Sequence, residues 1–395
     1  MMRMFINSLS ASAGGGLTYI RNVLPILSMR SDLQVIVAVS PELRQEFHHL
    51  RGLEFVELQM PVARRVWHEQ VELSDILRNC RVDVLLSTGN FALRKSPVPQ
   101  VLLSRNSLYL CRDYYRDLRK RHEYRLWLDT RLKAILAKKS TRWANATVAP
   151  SNAFAIELQR WTKNRVLAVP HGFDRESFTR DSRPLSSQIE AKLQAAEGFL
   201  KLLFVSHYNY YRNFETLIRA LPLLRNGAGG RPVKLLLTCK LAEGANPGAY
   251  RPEVAADLIR SLGVADMVIE LGSVPYRHLH QLYRRADVYV TPAYTETFAH
   301  PLVEAMASGI PIAASDLPVH REICGDAAEY FPTFSPAALA ETVLRLAASP
   351  ESMSRMGALG LKRSNQFSWD IHVKRIVEIC QSLTHVSAAM ATHAA

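Results

Sequence analysis

The sequence predicts an α/β protein with two Rossmann-like, doubly wound domains facing a central cleft. Three observations point there. The chain has 395 residues, too many for one compact core and enough for two domains of ordinary size. Short apolar runs alternate with amphipathic stretches along most of it, the pattern of a parallel sheet covered by helices. That alternation runs twice, interrupted near the middle by a polar stretch.

In the first half, Met4–Leu9 and Leu33–Val39 read as buried strands. Between them Leu17, Ile20, Val23, Leu24 and Leu27 recur at helical spacing. Val82–Leu86, Val101–Leu103 and Ala146–Ala149 add short strands, and the basic segment after Cys111 reads as helix. The stretch from about Arg180 to Glu197 is polar, contains Pro184 and reads as a linker. Beyond it, strands are expected at Lys201–Ser206, Val233–Thr238, Val268–Leu271, Asp287–Thr291 and Ile310–Ala314, with helices between them. The expected division is residues 1–180, residues 181–365, a final helix over 366–384 returning to the first domain, and a flexible tail over 385–395. Sheets of this kind bind ligands outside the carboxyl ends of their strands, where the strand order reverses.

Composition narrows the class. Hydrophobic residues make up 48% and charged residues 22%, which is globular. No run of about 18 apolar residues occurs, so no spanning helix is expected. The N-terminus has no apolar stretch of signal-peptide length, which points to the cytoplasm. Cys80, Cys111, Cys239, Cys324 and Cys380 are scattered, with no metal-ligand or redox spacing, and read as reduced thiols. Forty-nine Lys and Arg against 36 Asp and Glu leave a net charge of +13, which asks for an anionic partner. Between Arg112 and Arg142 there are eleven basic residues against four acidic ones. Tyr114, Tyr115, Tyr124 and Trp127 interleave with them, but no RNA-binding motif accompanies them and no nucleic-acid partner is expected. A solvated helix face and a helix resting peripherally on anionic lipid headgroups are the two readings of this segment.

The chemistry concentrates in Thr291–Ala313. A strand ends at Pro292, a loop carries Glu296, Pro301 suits a helix's first turn, and Gly309 suits its stop. Unpaired N–H groups at about Thr297, Phe298 and Ala299 would make an anion site for a diphosphate. Glu296 and Glu304 would repel that anion unless each had hydroxyls to bind, and sugar and ribose diols are such partners.

This stretch resembles the Glu-x7-Glu signature of family-four retaining glycosyltransferases of GT-B fold, and the resemblance covers nearly the whole chain. It implies that Glu296 contacts the donor sugar and Glu304 the ribose. Gly15 and Gly16 resemble the glycine loop that approaches the diphosphate. Pro150-Ser151-Asn152 and Val169-Pro170-His171-Gly172-Phe173-Asp174 resemble the two motifs that end the first domain. Ser273 and Val274, within Leu271-Gly272-Ser273-Val274-Pro275, resemble the loop near the base, and Phe367-Ser368-Trp369 the start of the final helix.

Two departures follow. Where the family has Gly-Arg and then Lys five residues after the Arg, this chain has Ser206-His207 and Arg212. Arg212 keeps the charge and offers a bidentate fork; His207 is a weaker cation or a strand-end histidine. Many members also carry a histidine near the reacting centre of the first domain. Here the strand ends read Thr88-Gly89-Asn90 and Ser104-Arg105-Asn106, leaving Asn90, Arg105 and Asn106 as acceptor contacts or as turn caps.

The expected reaction is metal-independent transfer of a hexose, with retention, from a UDP- or GDP-sugar to a hydroxyl of a glycan or lipid-linked glycan. No cofactor or metal is expected, because Arg212, His207 and the helix terminus supply the positive field. A glycosyl phosphorylase, a sugar-nucleotide epimerase and a non-catalytic partner binding nucleotide-sugar or anionic polymer stay open on the residues alone.

Overall fold

The computed structural model describes residues 1–11, 14–59, 65–227, 230–248 and 250–393, apart from the side chains of 65–68 and 386–393. The chain forms two compact units that do not follow chain order: Met1–Leu110 with Trp127–Gly172 and residues 368 onward, and Cys111–Leu126 with Phe173–Phe367.

In the first unit, seven strands form one sheet: β1 (Met2–Asn7), β2 (Leu33–Val39), β3 (Leu53–Glu57), β4 (Val84–Ser87), β5 (Gln100–Leu103), β6 (Ala146–Ala149) and β7 (Val166–Ala168). All pairs are parallel, in the order β3-β2-β1-β4-β5-β6-β7. Successive side chains of a strand face opposite ways, and both faces are covered here. Met4, Ile6, Val35 and Val37 enter one core, and Phe5, Ile36 and Leu85 enter the other beneath Leu73 and Leu77. That two-sided burial is why the strands read as unbroken apolar runs. Helices Gly14–Ser28 and Trp369–His393 share the first core through Tyr19, Ile20, Val23, Leu24, Trp369, Val373, Ile376, Val377 and Cys380. The last helix runs beyond residue 384, where the sequence placed its end, and the strong helix formers Ala388, Ala389 and Ala391 carry it on.

The second unit has six strands: β8 (Leu200–Phe204), β9 (Val233–Leu237), β10 (Val268–Glu270), β11 (Val288–Thr291), β12 (Ile312–Ser315) and β13 (Glu329–Phe331). They too are all parallel, in the order β10-β9-β8-β11-β12-β13. The expected linker at 180–197 is corrected. Ser187–Gln194 is a helix of this unit, capped by the Ser186 hydroxyl, which accepts from the Ile189 N–H at 3.4 Å. Leu185, Ile189 and Leu193 are buried, and Lys192 Nζ donates to the Glu270 carbonyl at 2.6 Å. Only two apolar residues of the helix itself, Ile189 and Leu193, are buried, so its polar face dominates the local composition.

The Arg112–Lys120 helix also belongs to the second unit. It buries Tyr114 and Leu118. Arg121, just beyond it, pairs with Asp117 at 2.7 Å and Glu215 at 3.0 Å, and lies over the Tyr210 ring at 4.2 Å. Tyr294 Oη donates to Asp117 at 3.1 Å, and Glu123 accepts from Tyr210 Oη at 2.7 Å and Arg251 Nε at 2.8 Å. Among the described residues no helix is long and apolar enough to cross a membrane.

Candidate active site

In the second sheet the strand order reverses between β8 and β11, so a crevice is expected outside their carboxyl ends. The loops leaving these strands are tied together. Asn209 caps the short turn Tyr210–Arg212 by accepting from the Arg212 N–H at 3.1 Å. Asn213, with φ 57°, donates its side-chain amide to the Pro292 carbonyl at 3.0 Å and accepts from the Thr216 hydroxyl at 2.8 Å. The Tyr294 N–H donates to the Tyr211 carbonyl at 3.0 Å. Asn takes the left-handed region at modest cost, so this sequence can turn sharply enough to carry Arg212 across. There the Arg212 guanidinium forms an ion pair with the Glu296 carboxylate, both side chains largely buried. Two candidates 84 positions apart thus meet at the switch point.

The helix after Glu296 spans His300–Ala307. Ala299 caps it with φ 63°, Pro301 occupies its first turn, and Gly309, with φ 70°, lies just past its end. The Thr297 N–H donates weakly to its neighbour Glu296 at 3.4 Å, so the first of the three expected anion donors is engaged by a carboxylate. Phe298 is buried against the His300 ring at 4.8 Å and the Phe367 ring at 5.5 Å.

Glu304, on this helix, is 4% exposed and accepts from Tyr283 Oη at 3.0 Å. Burial pushes its pKa up to about 7 against the opposing effect of that hydrogen bond. A carboxyl group so placed gains from further hydroxyl donors, which favour its ionised form. His207 is exposed at the end of β8, and its carbonyl accepts from the Ser206 hydroxyl at 2.7 Å. Desolvation of its ring, then the Arg212 charge, holds its pKa below the usual 6.5. Without a bound anion it is therefore a weaker cation than an ordinary histidine. Exposed Ser273 and half-buried Val274 follow β10 after Gly272, whose φ is 82°.

Three residues of this region carry no signal in the sequence. Tyr283 and Tyr289 are buried, with ring centroids 5.6 Å apart, and the Tyr283 hydroxyl fixes Glu304. His320 is fully buried, and its Nδ1 lies 2.8 Å from the Ser315 carbonyl. A carbonyl only accepts, so Nδ1 bears the hydrogen and Nε2 is the acceptor. Burial draws its pKa down to about 4, with Arg212 contributing in the same direction. The Nε2 atom has no partner among the described residues.

A cavity of about 520 Å³ opens in this unit beneath the Arg112–Lys120 helix, bounded by Asp117, Lys120, Asn213, Arg219, Tyr294 and Phe334 among others. None of Arg212, Glu296 or Glu304 lines it. The hydrogen-bonded chemistry therefore identifies the candidate site better than the concavity does. Among the described residues no group of three or more His, Cys, Asp or Glu side chains could hold a metal ion.

In the first unit the order reverses between β1 and β4. Here the candidates hold loops together. Asn90, with φ 67°, accepts from the Arg105 N–H at 2.6 Å. Arg105 donates to the Gly15 and Thr88 carbonyls, both at 2.8 Å, and lies over the Tyr19 ring at 4.9 Å. Asn106 accepts from the Leu108 N–H at 3.0 Å. Gly15 and Gly16 open the Gly14–Ser28 helix. A Cβ on Gly15 would meet open space, whereas one on Gly16 would press on the Ala11 Cα at 3.3 Å.

Comparisons with known proteins agree with this architecture. The family model described as glycosyl transferases group 1 matches residues 186–363, and that described as glycosyltransferase family 4 matches residues 13–177. A D-inositol 3-phosphate glycosyltransferase of Nocardia farcinica is 27% identical over 239 residues, covering 60% of this chain and 51% of that protein. That of Actinosynnema mirum is 30% identical over 210 residues, covering 52% and 49%. The chain thus spans about half the length of the curated relatives it matches. Among solved structures, sucrose-phosphate synthase from Thermosynechococcus elongatus superposes with a TM-score of 0.72 at 18% identity, covering 98% of this chain and 100% of that one. HepE of Anabaena, in complex with UDP-glucose, superposes with a TM-score of 0.70 at 16% identity, covering 97% and 100%.

Proposed function

For a chain that belongs to the group 1, family 4 glycosyltransferases of GT-B fold, we propose metal-independent transfer of a hexose, with retention, from a UDP- or GDP-sugar to a hydroxyl of a glycan or lipid-linked glycan. The enzyme would work in the cytoplasm at the inner face of a membrane. The observation that carries the reading is the Arg212–Glu296 pair at the switch point of the second sheet, with Glu304 buried on the helix that follows Glu296.

Each group has a role in this proposal. Arg212 holds the diphosphate and stabilises the charge that develops as the sugar leaves. Glu296 keeps the guanidinium aimed and accepts from donor-sugar hydroxyls. Glu304 accepts from the ribose diol, whose O–H groups favour its ionised form. Gly16 lets backbone approach the phosphates, and Ser206, Ser273, Val274 and the N–H groups of Phe298 and Ala299 complete the donor surface. The departing diphosphate takes the acceptor's proton on the face where the new bond forms, so no protein base is needed. His207, whose pKa is held below the usual value, gains charge when a bound anion raises it.

The test is thermal unfolding of the full chain with UDP, GDP and their sugars, with and without EDTA. A ligand at about 100 times its Kd adds about 2.7 kcal/mol of stability. A shift for one nucleotide series that survives EDTA, followed by sugar transfer with the same donor, is the expected result. No shift with any nucleotide-sugar, or a shift and transfer that EDTA abolishes and magnesium restores, would overturn the reading.

A further inference from the structure

We infer that the outward face of the Tyr124–Trp143 helix is the surface that seats this protein on an anionic lipid leaflet. This deepens the membrane-surface part of the proposed function and does not depend on which sugar is moved.

The helix is inside out relative to an ordinary surface helix, which turns its large apolar residues inward. Its buried residues are small or hydroxylic: Thr130, Ala134, Ala137, Ser140 and Thr141. Ala134 and Ala137 pack with Tyr109, and Thr141 accepts from the Asn164 amide at 2.9 Å. Meanwhile Leu128, Leu132 and Ile135 stand out at 54%, 59% and 54% exposure. Steps of four and three residues put all three on one stripe. Lys139 and Arg142 continue it, four and seven residues beyond Ile135. Both are exposed, and neither has a protein partner among the described residues.

Charge selects the occupant. The Tyr124–Trp143 helix carries six basic residues against one acidic one, so a second copy laid on this face would set cations against cations. Nucleic acid has no use for three aliphatic side chains. A leaflet accommodates both features, with the aliphatic residues entering the acyl boundary while Lys139 and Arg142 reach back to the headgroups. Each such cation is worth about fivefold in partition to an anionic surface. The aliphatic stripe contributes about tenfold or more when half of each side chain leaves water.

The experiment is co-sedimentation of the full chain with phosphatidylcholine vesicles and with vesicles containing 30% phosphatidylglycerol, at low and high salt and without any donor. The variants are Leu128→Gln/Leu132→Gln/Ile135→Gln and Lys139→Glu/Arg142→Glu; all five residues are exposed, so circular dichroism should show an intact fold. Wild type should prefer anionic vesicles by tenfold or more; the triple variant should lose about tenfold or more and the charge-reversal variant about 25-fold or more. Equal binding to both vesicle types would overturn the proposal. So would a triple variant that binds like wild type, or a stripe needed only for self-association seen by ultracentrifugation. Loss of vesicle binding with donor transfer intact would leave the glycosyltransferase reading standing. Vesicle binding without any transfer would do the reverse.

Discussion

The two sheets have the same parallel winding and the same kind of switch point, yet they use their polar residues differently. In the first unit, Asn90, Arg105 and Asn106 are committed to backbone groups of the loops around them. In the second, Arg212 faces Glu296 and Glu304 faces Tyr283, so the polar groups are charged or titratable and held by side chains. Bonds to backbone build a scaffold, whereas a carboxylate paired with one partner keeps lone pairs for a ligand. Fold alone does not decide which switch point carries chemistry.

The largest expected effect tests the scaffold side. Arg105→Ala removes two hydrogen bonds from a charged donor to carbonyls, at about 1.5–3 kcal/mol each. Denaturant unfolding should show a loss of several kcal/mol. If the midpoint instead holds while transfer to the acceptor disappears, Arg105 is an acceptor contact and the contrast between the sheets fails.

Next comes Glu304, where the sign can be worked out. Its pKa is about 7 in the folded chain against 4.5 as the ordinary value. Between those values the native state holds a proton that the unfolded chain has lost, so stability falls as pH rises through the window. The total is on the order of 3 kcal/mol, reached above pH 7. Glu304→Gln still accepts from Tyr283 and does not titrate. Its stability should exceed that of wild type at pH 8 and match it near pH 4.5. Parallel unfolding curves for the two proteins across that range would show the carboxyl to be ionised throughout.

Arg212→Ala should weaken nucleotide-sugar binding or rate roughly ten- to hundredfold, the equivalent of a charged hydrogen bond of about 1.5–3 kcal/mol, and should also lower stability, because it leaves the largely buried Glu296 carboxylate unpaired. Because Arg212 and Glu296 touch, their effects should not add. A double-mutant cycle with Glu296→Gln should leave a coupling of about 0.5–3 kcal/mol. Strict additivity would mean the pair does not act as a unit, and wild-type activity in Arg212→Ala would place the diphosphate elsewhere.

Much of this was legible from the residues. The strands Leu33–Val39 and Ala146–Ala149 lie where the apolar runs put them, and Pro301 and Gly309 frame the helix after Glu296 nearly as read. What escaped has physical reasons. The edge strand β3 is only half-buried and contains Glu54 and Glu57, so no apolar run marks it; β7 and β13 span three residues each. The Ser187–Gln194 helix hides its few apolar residues among polar ones. The Arg112–Lys120 helix joins the second unit through Arg121–Glu215 and Glu123–Arg251, ion pairs between residues about a hundred positions apart. No local pattern announces such partners. Tyr283 was invisible for the same reason: its importance lies in a carboxyl group 21 positions on.

The smallest expected effect separates the two switch points by sign. Ala299 and Asn90 both hold left-handed backbone beside a candidate site, with φ 63° and 67°. That region costs an ordinary L-residue about 1–2 kcal/mol, and Asn less. Glycine relieves the strain but adds freedom to the unfolded chain, an opposing effect of about 0.4–1 kcal/mol. Ala299 has no side-chain hydrogen bond in its capping role, so Ala299→Gly should stabilise by about 0.5–1 kcal/mol. Asn90 starts with less strain, and its side chain accepts from the Arg105 N–H at 2.6 Å. Asn90→Gly removes that bond, worth about 1 kcal/mol, and should destabilise. Denaturant midpoints of the two variants against wild type decide the matter. Opposite signs would show strain held in the Ala299 loop and satisfied bonding in the Asn90 loop. Shifts of the same sign would mean the two loops are built alike.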